Sequence, residues 1–315
     1  MEELKGVKKN VLLREYTTFR IGGLAKYFFV AKTKEELIEA IGWARENNIP
    51  FFILGGGSNV LVLDEEYNGL IIKITNSKLQ ISNKSKIQKK AKSKDFAKFK
   101  IIVGAGMPLA KLVSETAKNG LTGMEWAAGV PGTVGGAIRG NAGAFGGCMA
   151  EAIKMVTVLE IPKFLPAGGF PNGDKIKKYK KKDCRFKYRD SIFKHDENLI
   201  ILSVEIELEK GDPEEINRKM KEHLDYRRNS HPLSFPSAGS IFKNPNKSFS
   251  AGDLIERCGL KGKTIGGAQI SEKHANFIVN LGGAKAKDVL ALVDLAKKEV
   301  KGKFDIALEE EIIIL

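Results

Sequence analysis

The chain has 315 residues and a formal net charge of +14, with 43% hydrophobic and 29% charged residues. This length suits two or three domains with a sizeable buried core, and the composition is that of a globular protein. The sequence has no apolar run long enough to span a membrane and no signal-peptide core at its N-terminus, so we expect a cytoplasmic protein without membrane association. The three separated cysteines argue against a disulfide framework, and the four histidines lack metal-ligand spacing, so we expect no metal site.

The positive charge is concentrated in two lysine-rich segments. Residues 76–100 hold nine lysines against one aspartate, and residues 174–187 hold seven lysines and one arginine against two aspartates. Together they account for the whole net charge. Both segments are low in complexity and are interpreted as solvated loops or hairpin tips. A nucleic-acid-binding surface, the alternative, needs arginine and stacking aromatic residues on a defined element, so no nucleic-acid partner is expected.

The first two-thirds of the chain mixes predicted strands and helices with glycine-rich turns. Thr33, followed by Glu36, predicts a capping box for a helix that ends at Asn47-Asn48. A second helix, PLAKLVSETAKNG, is predicted to close at Gly120. Apolar runs predict strands at IPFFIL (49–54), VLVLD (60–64), GLIIKI (69–74), KIIVGAG (100–106), KMVTVLEI (154–161) and NLIILSVEIELEKG (198–211).

After Gly211 the composition becomes helical. Asp212 and Pro213 are in N-cap and N1 positions of a helix, and further helices are predicted at AGDLIERCGL (251–260) and AKDVLALVDLAKKEVKGKF (286–304). The apolar end, IALEEEIIIL (306–315), predicts a strand. The pattern is typical of an α+β protein, which we divide into residues 1–75, 76–211 and 212–315.

Three glycine clusters indicate a ligand that carries phosphate. They are RIGG (20–23), LGGGSN (54–59) and GVPGTVGGAIRGNAGAFGG (129–147). Glycine allows backbone N–H groups to approach an anion and to adopt positive φ. None is a P-loop, because no Gly-Lys-Ser/Thr follows, and none leads from a strand into a helix as a dinucleotide fingerprint does. A large phosphate-bearing cofactor held by several loops is the expected ligand.

Ser240 raises a question of its own, because it follows a glycine in SFPSAGSIFKNP (234–245). A Gly-Ser pair is compatible with a nucleophile. However, no Gly-x-Ser-x-Gly elbow and no suitably spaced Asp and His accompany it, so a serine hydrolase is disfavoured.

Seven motifs, in this order, resemble the UDP-N-acetylenolpyruvoylglucosamine reductase family, in its shorter subtype. They are YTTFRIGG, ILGGGSNVLVLD, GMEWAAGVPGTVGGAIRGNAGAFGG, YRDSIFK, HPLSFPSAGSIFKNP, AGDLIERCGLKGKTIGGAQISEKHANFIVN and LEEEI. The resemblance covers about Thr17 to Ile313 and fails only in the two lysine-rich segments. It implies a two-subdomain FAD-binding fold similar to that of vanillyl-alcohol oxidase-type flavoproteins, followed by a C-terminal αβ substrate domain.

The resemblance also implies the reaction. The family uses NADPH and non-covalently bound FAD to reduce UDP-N-acetylglucosamine enolpyruvate to UDP-N-acetylmuramate, a step of peptidoglycan precursor synthesis. The motif match gives Ser240 the role of proton donor and brings Arg189 and Glu311 to the substrate carboxylate. Negative charge develops beside that carboxylate, so cations or donors there and a proton source at the carbon are what the chemistry needs. We expect a monomer that acts on a small-molecule UDP-sugar.

Further positions are carried over from the family. The cofactor-binding candidates are Arg20, Gly22, Gly55, Gly56, Gly57, Ser58, Asn59, Pro131, Gly132, Thr133, Gly135, Gly136, Asn141 and Ala142. The candidates for the UDP-sugar are Tyr188, Arg228, Asn244 and Lys261, since a diphosphate calls for guanidinium and amide donors. Two departures stand out: His231 replaces a common glutamine, and Arg139-Gly140 replaces a bulkier pair.

Two other classes compete with this interpretation. A different flavin oxidoreductase of the same cofactor fold would not require the serine, arginine and glutamate of these three motifs. A nucleic-acid-binding protein that uses the lysine-rich segments would give a colourless preparation and salt-sensitive binding. The absorbance spectrum of the purified protein separates the flavoproteins from the second class.

Overall fold

A computed structural model describes residues 4–83, 98–162, 176–246 and 248–315. Its strands are β1 Lys8–Leu12, β2 Leu24–Ala31, β3 Phe51–Leu54, β4 Val60–Leu61, β5 Tyr67–Ile74, β6 Leu79–Asn83, β7 Lys98–Gly104, β8 Leu121–Thr122, β9 Gly143–Ala144, β10 Gly147–Cys148, β11 Ile153–Glu160, β12 Ile176–Lys180, β13 Leu199–Lys210, β14 Ser237–Ser240, β15 Thr264–Ile265, β16 Ala268–Ile270, β17 Phe277–Asn280 and β18 Ile313–Ile314. Its helices are α1 Lys34–Glu46, α2 Leu109–Lys118, α3 Val134–Arg139, α4 Met149–Ala152, α5 Ile192–His195, α6 Pro213–Ser230, α7 Ala251–Arg257 and α8 Ala286–Phe304.

The chain groups into two compact units. Unit 1 comprises residues 1–4, 30–48 and 72–225, and unit 2 comprises residues 5–29, 49–71 and 226–315. Their boundary in the last third of the chain falls within α6. The division into residues 1–75, 76–211 and 212–315 stays a prediction, and the mixture of helices and strands confirms the α+β class.

Unit 1 is built on a mainly antiparallel sheet of strand order β12-β11-β13-β7-β6, to which β8 adds beside β13. The central strand β13 is long and alternates buried and half-buried residues, as expected of a strand with one face on a core. That core contains aliphatic side chains of β7, β11 and β13 together with α2 and α3. The glycine-rich residues 129–147 begin beside this core and include α3 and the small β9–β10 hairpin.

Unit 2 has its own core, formed by residues of α7 and α8 against β14, β16 and β17. Its sheets have the orders β14-β17-β16-β15 and β1-β2-β5-β3, and β18 pairs with β4 in parallel. The last pairing ties the C-terminus of the chain to the segment that follows the second glycine cluster.

The local predictions for helices are confirmed where capping chemistry supports them. Thr33 and Glu36 form the reciprocal capping box of α1, and Asn47 is its C-cap. Asp212 accepts a hydrogen bond from Glu214 N at the start of α6, with Pro213 as first helical residue. Gly120 follows α2 with a φ of +61°, which is the usual role of glycine after a helix.

Two predictions about strands need correction. The C-terminal run 306–315 is a strand only at Ile313–Ile314, because its partner β4 has two residues. The lysine-rich segments are predicted to be solvated loops or hairpin tips, but their described parts include strands β6, β7 and β12 and a 3₁₀ turn at Lys181–Cys184. Their lysines meet glutamates of neighbouring strands: Lys100 lies 2.5 Å from Glu205, and Lys177 lies 2.6 Å from Glu160. Residues 84–97 and 174–175 lie outside the described residues, so the prediction of hairpin tips there stays a prediction.

Within the described ranges, no helix combines the length and apolar character needed to cross a membrane. In the same ranges, no group of three or more metal-ligating side chains comes together.

Candidate active site

The second glycine cluster packs directly on the turn at Thr17-Thr18 in unit 2. Thr18 N donates to the carbonyl of Gly57 at 3.0 Å, and the Thr18 hydroxyl donates to the carbonyl of Ser237 at 2.7 Å. Gly57 has a φ of +64°, and a Cβ atom there would lie 2.2 Å from the Tyr16 carbonyl oxygen. The loop therefore needs glycine at this position both for its backbone conformation and for its close packing.

Ser240 is the last residue of β14 and pairs with Phe277 of β17. The register shifts between Ser237 and Ser240, and Gly239 within this bulge has a φ of +78°. A Cβ atom at Gly239 would meet nothing within 4 Å, so the strand has open space beside the serine. Bulges of this kind re-aim a side chain next to a functional site.

The backbone of Glu311 is hydrogen-bonded to Ile241, the residue that follows Ser240. Glu311 N donates to the Ile241 carbonyl at 2.8 Å, and Asn59 Nδ2 donates to the Glu311 carbonyl at 3.0 Å. Asn59 also accepts a hydrogen bond from Ile313 N through its carbonyl, at 3.0 Å. We call Asn59, Ser240, Ile241 and Glu311 the Ser240 cluster. Three sequence motifs that are far apart in the chain meet in it.

Lys243 follows the same strand. Its backbone N donates to the Glu309 carbonyl at 2.9 Å, and its ammonium group pairs with the Glu309 carboxylate. The carboxylate partly neutralises this cation.

Arg189 belongs to unit 1 and lies at the tip of a tight turn. Lys187 N donates to the Asp190 carbonyl at 3.0 Å, and Asp190 N donates to the Lys187 carbonyl at 3.2 Å. Arg189 has a φ of +53°, which is uncommon for a residue with a side chain and occurs often at functional sites. A Cβ atom at Gly143 would lie 3.4 Å from Arg189 Nη1, so the guanidinium lies against the third glycine cluster.

Asn141 connects the third glycine cluster to the Arg189 turn. It is buried, with a φ of +43°. Its Nδ2 donates to the Lys187 carbonyl at 2.8 Å, and its Oδ1 accepts from Ala150 N at 3.0 Å. The side chain of Asn141 thus holds the loop on the turn, and its amide is already used in this contact.

Thr133 caps the start of α3 in the same cluster. Its hydroxyl accepts a hydrogen bond from Gly136 N, and a Cβ atom at Gly135 would lie 2.9 Å from the Ala105 Cβ. Gly132 has a φ of +105°, and Pro131 and Gly136 are exposed. The N–H groups of Val134 and Gly135 already donate to the carbonyls of Met107 and Ala105, so this part of the loop is fixed on its neighbours. After α3, Ala142 N donates to the Ala137 carbonyl at 2.7 Å, so the chain turns back against the end of this helix.

Comparison with known proteins shows the family of this chain. The profile of the C-terminal domain of UDP-N-acetylenolpyruvoylglucosamine reductase matches residues 231–315, and an FAD binding domain matches residues 25–162. The reductase of Anoxybacillus flavithermus is 39% identical over 98% of this chain and 94% of its own, and that of Clostridium novyi is 37% identical over 98% and 92%. The chain belongs to the UDP-N-acetylenolpyruvoylglucosamine reductase family.

A solved structure supports the same membership. The UDP-N-acetylenolpyruvylglucosamine reductase of Thermus caldophilus is 37% identical, with a TM-score of 0.74 over 98% of each chain. The family resemblance of the seven motifs is confirmed, and so is the presence of an FAD-binding domain.

The residues of the reductase chain fit a diphosphate-bearing cofactor. The positive-φ Gly57 leaves no room for a side chain on its packed side, and Gly55 to Asn59 carry no charged group that would repel a phosphate. Gly146 of the third cluster has a φ of +84°, and a Cβ atom there would meet nothing within 4 Å. Backbone N–H groups of glycine-rich loops are suited to anionic oxygens.

Arg20 and Gly22, predicted cofactor contacts, have different surroundings. Arg20 is exposed, has a φ of +54° and lines a cavity of about 500 Å³ together with Arg14 and Asn280. A Cβ atom at Gly22 would lie 2.6 Å from the Val62 Cβ, so this glycine is required for packing. A role in cofactor binding stays a prediction for both.

Of the residues predicted to bind the sugar nucleotide, Tyr188 lies at the surface, and the other three already make hydrogen bonds or ion pairs within the chain. Tyr188 is 56% exposed, and the Arg189 guanidinium lies 5.5 Å from its ring centroid. Asn244 Oδ1 accepts from Ala251 N at the start of α7, at 3.1 Å. Lys261 lies 3.1 Å from Glu256, and the Arg228 carbonyl accepts from Lys273 Nζ at 2.6 Å.

Asn276 is a residue of the site region that the sequence did not single out. Its buried side chain bonds the backbone of Phe242, two residues after Ser240. The signal was present in KHANFIVN, where an asparagine follows a histidine within a run that becomes a buried strand, because a buried amide must find partners.

His231 lies in an aromatic cluster next to this region. Its ring centroid is 5.4 Å from His274 and 5.1 Å from Phe277. Burial, with the positive charge of Arg227 next in importance, lowers the pKa of His231 to about 4. Burial also lowers the pKa of His274. Both imidazoles are thus neutral in this packing near neutral pH.

Proposed function

We propose that this chain uses NADPH and FAD to reduce UDP-N-acetylglucosamine enolpyruvate to UDP-N-acetylmuramate, a step of peptidoglycan precursor synthesis. Membership of the reductase family supports the reaction. The observation that carries the assignment of roles is the Ser240 cluster, where Glu311 N is bonded to the backbone that immediately follows Ser240. We further propose that the enzyme is a cytoplasmic monomer.

FAD, when bound, supplies the hydride that NADPH delivers. The residues proposed to hold it are Gly55 to Asn59 at the diphosphate, and the residues of the third glycine cluster, with Arg20 and Gly22, at the remainder. Backbone N–H groups of the second glycine cluster would donate hydrogen bonds to the diphosphate oxygens without requiring a basic side chain.

Ser240 is proposed as the proton donor. Negative charge develops on the substrate carbon next to the carboxylate, and a highly basic carbon can take a proton from a hydroxyl held at the correct distance. The pairing of Ser240 with Phe277 and the hydrogen bonds of Ile241 restrict the backbone at Ser240 and immediately after it. This restriction suits an acid that must be placed rather than made intrinsically strong.

Arg189 and Glu311 are proposed at the substrate carboxylate. The guanidinium offers two parallel donors to a carboxylate, which stabilises the charge that develops there. Arg189 lies at the tip of its turn with a positive φ, and its guanidinium lies against the third glycine cluster, which supports a role for it there. Tyr188, Arg228, Asn244 and Lys261 are proposed to bind the UDP-sugar.

The reaction is tested first on the purified protein. We expect a yellow flavin spectrum that NADPH bleaches and that the enolpyruvyl sugar restores. A colourless protein without affinity for FAD would refute the proposed function.

The role of Ser240 is tested with Ser240→Ala. The substitution should leave bleaching by NADPH close to the wild-type rate and slow recovery by the enolpyruvyl sugar about 10²- to 10⁴-fold, the usual contribution of a placed general acid. Ser237→Ala is the matched control, because it removes a hydroxyl from the same strand and should keep both rates. Full turnover in the Ser240 variant would remove the serine from this role.

A further inference from the structure

The strand that carries Ser240 ends at that residue, and a side chain continues its hydrogen bonding. Asn276 immediately precedes β17 and is 4% exposed. Its Oδ1 accepts from Phe242 N at 2.9 Å, and its Nδ2 donates to the Phe242 carbonyl at 2.8 Å. Its own carbonyl accepts from Ile241 N at 2.8 Å. One buried residue therefore binds three backbone groups of the two residues after Ser240.

The other side of Ser240 is held less firmly. The ladder between β14 and β17 is irregular from Ser237 to Ser240, and Gly239 there has a positive φ and no neighbours at its Cβ position. Glycine adds backbone freedom at such a point. The direction of the Ser240 side chain thus depends mainly on the segment that Asn276 binds.

The same segment also bears on Glu311. Ile241 accepts the hydrogen bond of Glu311 N through its carbonyl, while its own N donates to Asn276. A displacement of Ile241 and Phe242 would consequently shift both the proposed acid and the proposed carboxylate partner.

The backbone of Asn276 is itself supported by a histidine. Asn276 N donates to His274 Nδ1 at 3.2 Å, and the His274 ring packs 4.9 Å from the ring of Phe277. The asparagine is held on its own side by β17 and this ring, so its amide forms a fixed support rather than a mobile one.

We propose that Asn276 is a positioning residue that holds the Ser240 hydroxyl and Glu311 in register for proton transfer to the substrate. It contacts neither substrate nor cofactor in this role and acts only through the backbone of Ile241 and Phe242. The inference rests on the proposed proton-donor function of Ser240.

The test compares Asn276→Asp and Asn276→Ala with matched changes at Asn280. Asn280 is also buried and belongs to the same strand, but its Nδ2 donates to the Phe19 carbonyl and its Oδ1 accepts from Gly282 N. The two asparagines therefore support different segments from similar positions. Substituting either one leaves a buried backbone group without its partner, so both sets should lose comparable stability.

Anaerobic stopped-flow measurements on the FAD-loaded enzyme separate the two half-reactions. In Asn276→Asp, which keeps the acceptor and loses the donor, we expect bleaching by NADPH within about threefold of wild type. Recovery by the enolpyruvyl sugar should slow about 10²-fold, the scale of an acid displaced by about 1 Å. The solvent deuterium isotope effect on recovery should rise, because proton transfer becomes limiting. At saturating FAD, Asn280→Asp should keep recovery by the enolpyruvyl sugar close to the wild-type rate; an effect through the Phe19–Arg20 backbone is measured separately as a change in FAD affinity.

Hydrogen exchange supplies a readout that does not depend on turnover. Asn276→Ala should lose amide protection in the peptide around Phe242 and keep it around Gly282, whose N–H donates to Asn280 Oδ1, and Asn280→Ala should show the reverse. The proposal would be overturned if Asn276→Asp slowed both half-reactions equally. It would also be overturned if Asn276→Asp lost as much stability as Asn280→Asp and still recovered at the wild-type rate. A wild-type enzyme that the enolpyruvyl sugar does not reoxidise would refute the proposed function, and the role of Asn276 with it.

Discussion

Substitution of Gly57 by alanine tests how the second glycine cluster is shaped. The residue has a φ of +64°, and an added Cβ would lie 2.2 Å from the Tyr16 carbonyl oxygen and 2.9 Å from the Thr17 Cα. The left-handed backbone costs an L-residue about 1 kcal/mol. Relieving the contact requires the Tyr16–Thr18 segment to move by about 1 Å, which weakens the hydrogen bond from Thr18 N to Gly57 and costs about 1–2 kcal/mol more.

The expected loss in the free energy of unfolding for Gly57→Ala is therefore about 2–3 kcal/mol. Gly259→Ala is the control, because Gly259 has a φ of +72° and a Cβ there meets nothing within 4 Å. Only the backbone cost remains, so about 1 kcal/mol is expected. Urea denaturation measures both, and FAD titration should show weakened binding for Gly57→Ala alone. Equal destabilisation of the two variants would refute the argument from close packing.

Two further predictions concern titratable groups. The pKa of His231 is lowered to about 4, so between pH 6.5 and pH 4 the unfolded chain binds a proton that the folded chain does not, and stability falls as the pH falls through this window. With solvent screening, the free energy of unfolding should fall by about 1 kcal/mol between pH 7.5 and pH 5 because of His231. In His231→Gln, urea denaturation at the two pH values should show a fall that is smaller by this amount. Equal falls in the variant and the wild type would contradict the prediction. Burial, followed by the charge of Asp183, raises the pKa of the Cys184 thiol to about 12. Iodoacetamide at pH 8 should therefore leave Cys184 unmodified in the native protein and alkylate it after denaturation. Mass spectrometry measures the modification. Rapid native labelling of Cys184 at the rate of the half-buried Cys148 would be the opposite result.

The lysine-rich segments show how a composition can mislead. Low complexity and high charge predicted loops or hairpin tips, yet the described parts include strands β6, β7 and β12. Glutamates on β13 supply the reason for β7. Glu207 lies 3.6 Å from Lys98, and Glu205 lies 2.5 Å from Lys100. Because these glutamates follow the β7 lysines by about a hundred residues, no local pattern reveals them.

The sequence alone determined what depends on neighbouring residues. The capping box at Thr33, the start of α6 at Asp212 and the full extent of α8 follow from side chains within one or two turns. The glycine clusters and the seven motifs were likewise sufficient to indicate a phosphate-bearing cofactor and the reductase family.

Only the tertiary structure decided how the Ser240 cluster is assembled. Asn59, Ser240 and Glu311 are separated by long stretches of chain, and the hydrogen bonds that join them run between backbone and amide groups that every residue of their kind possesses. The run KHANFIVN indicated a buried Asn276 amide, but only the tertiary structure gives its partners, the N–H and carbonyl of Phe242. A hydrogen bond depends on distance and direction in space, and these are set by the packing of β14 and β17 on the core of unit 2, not by periodicity along the chain.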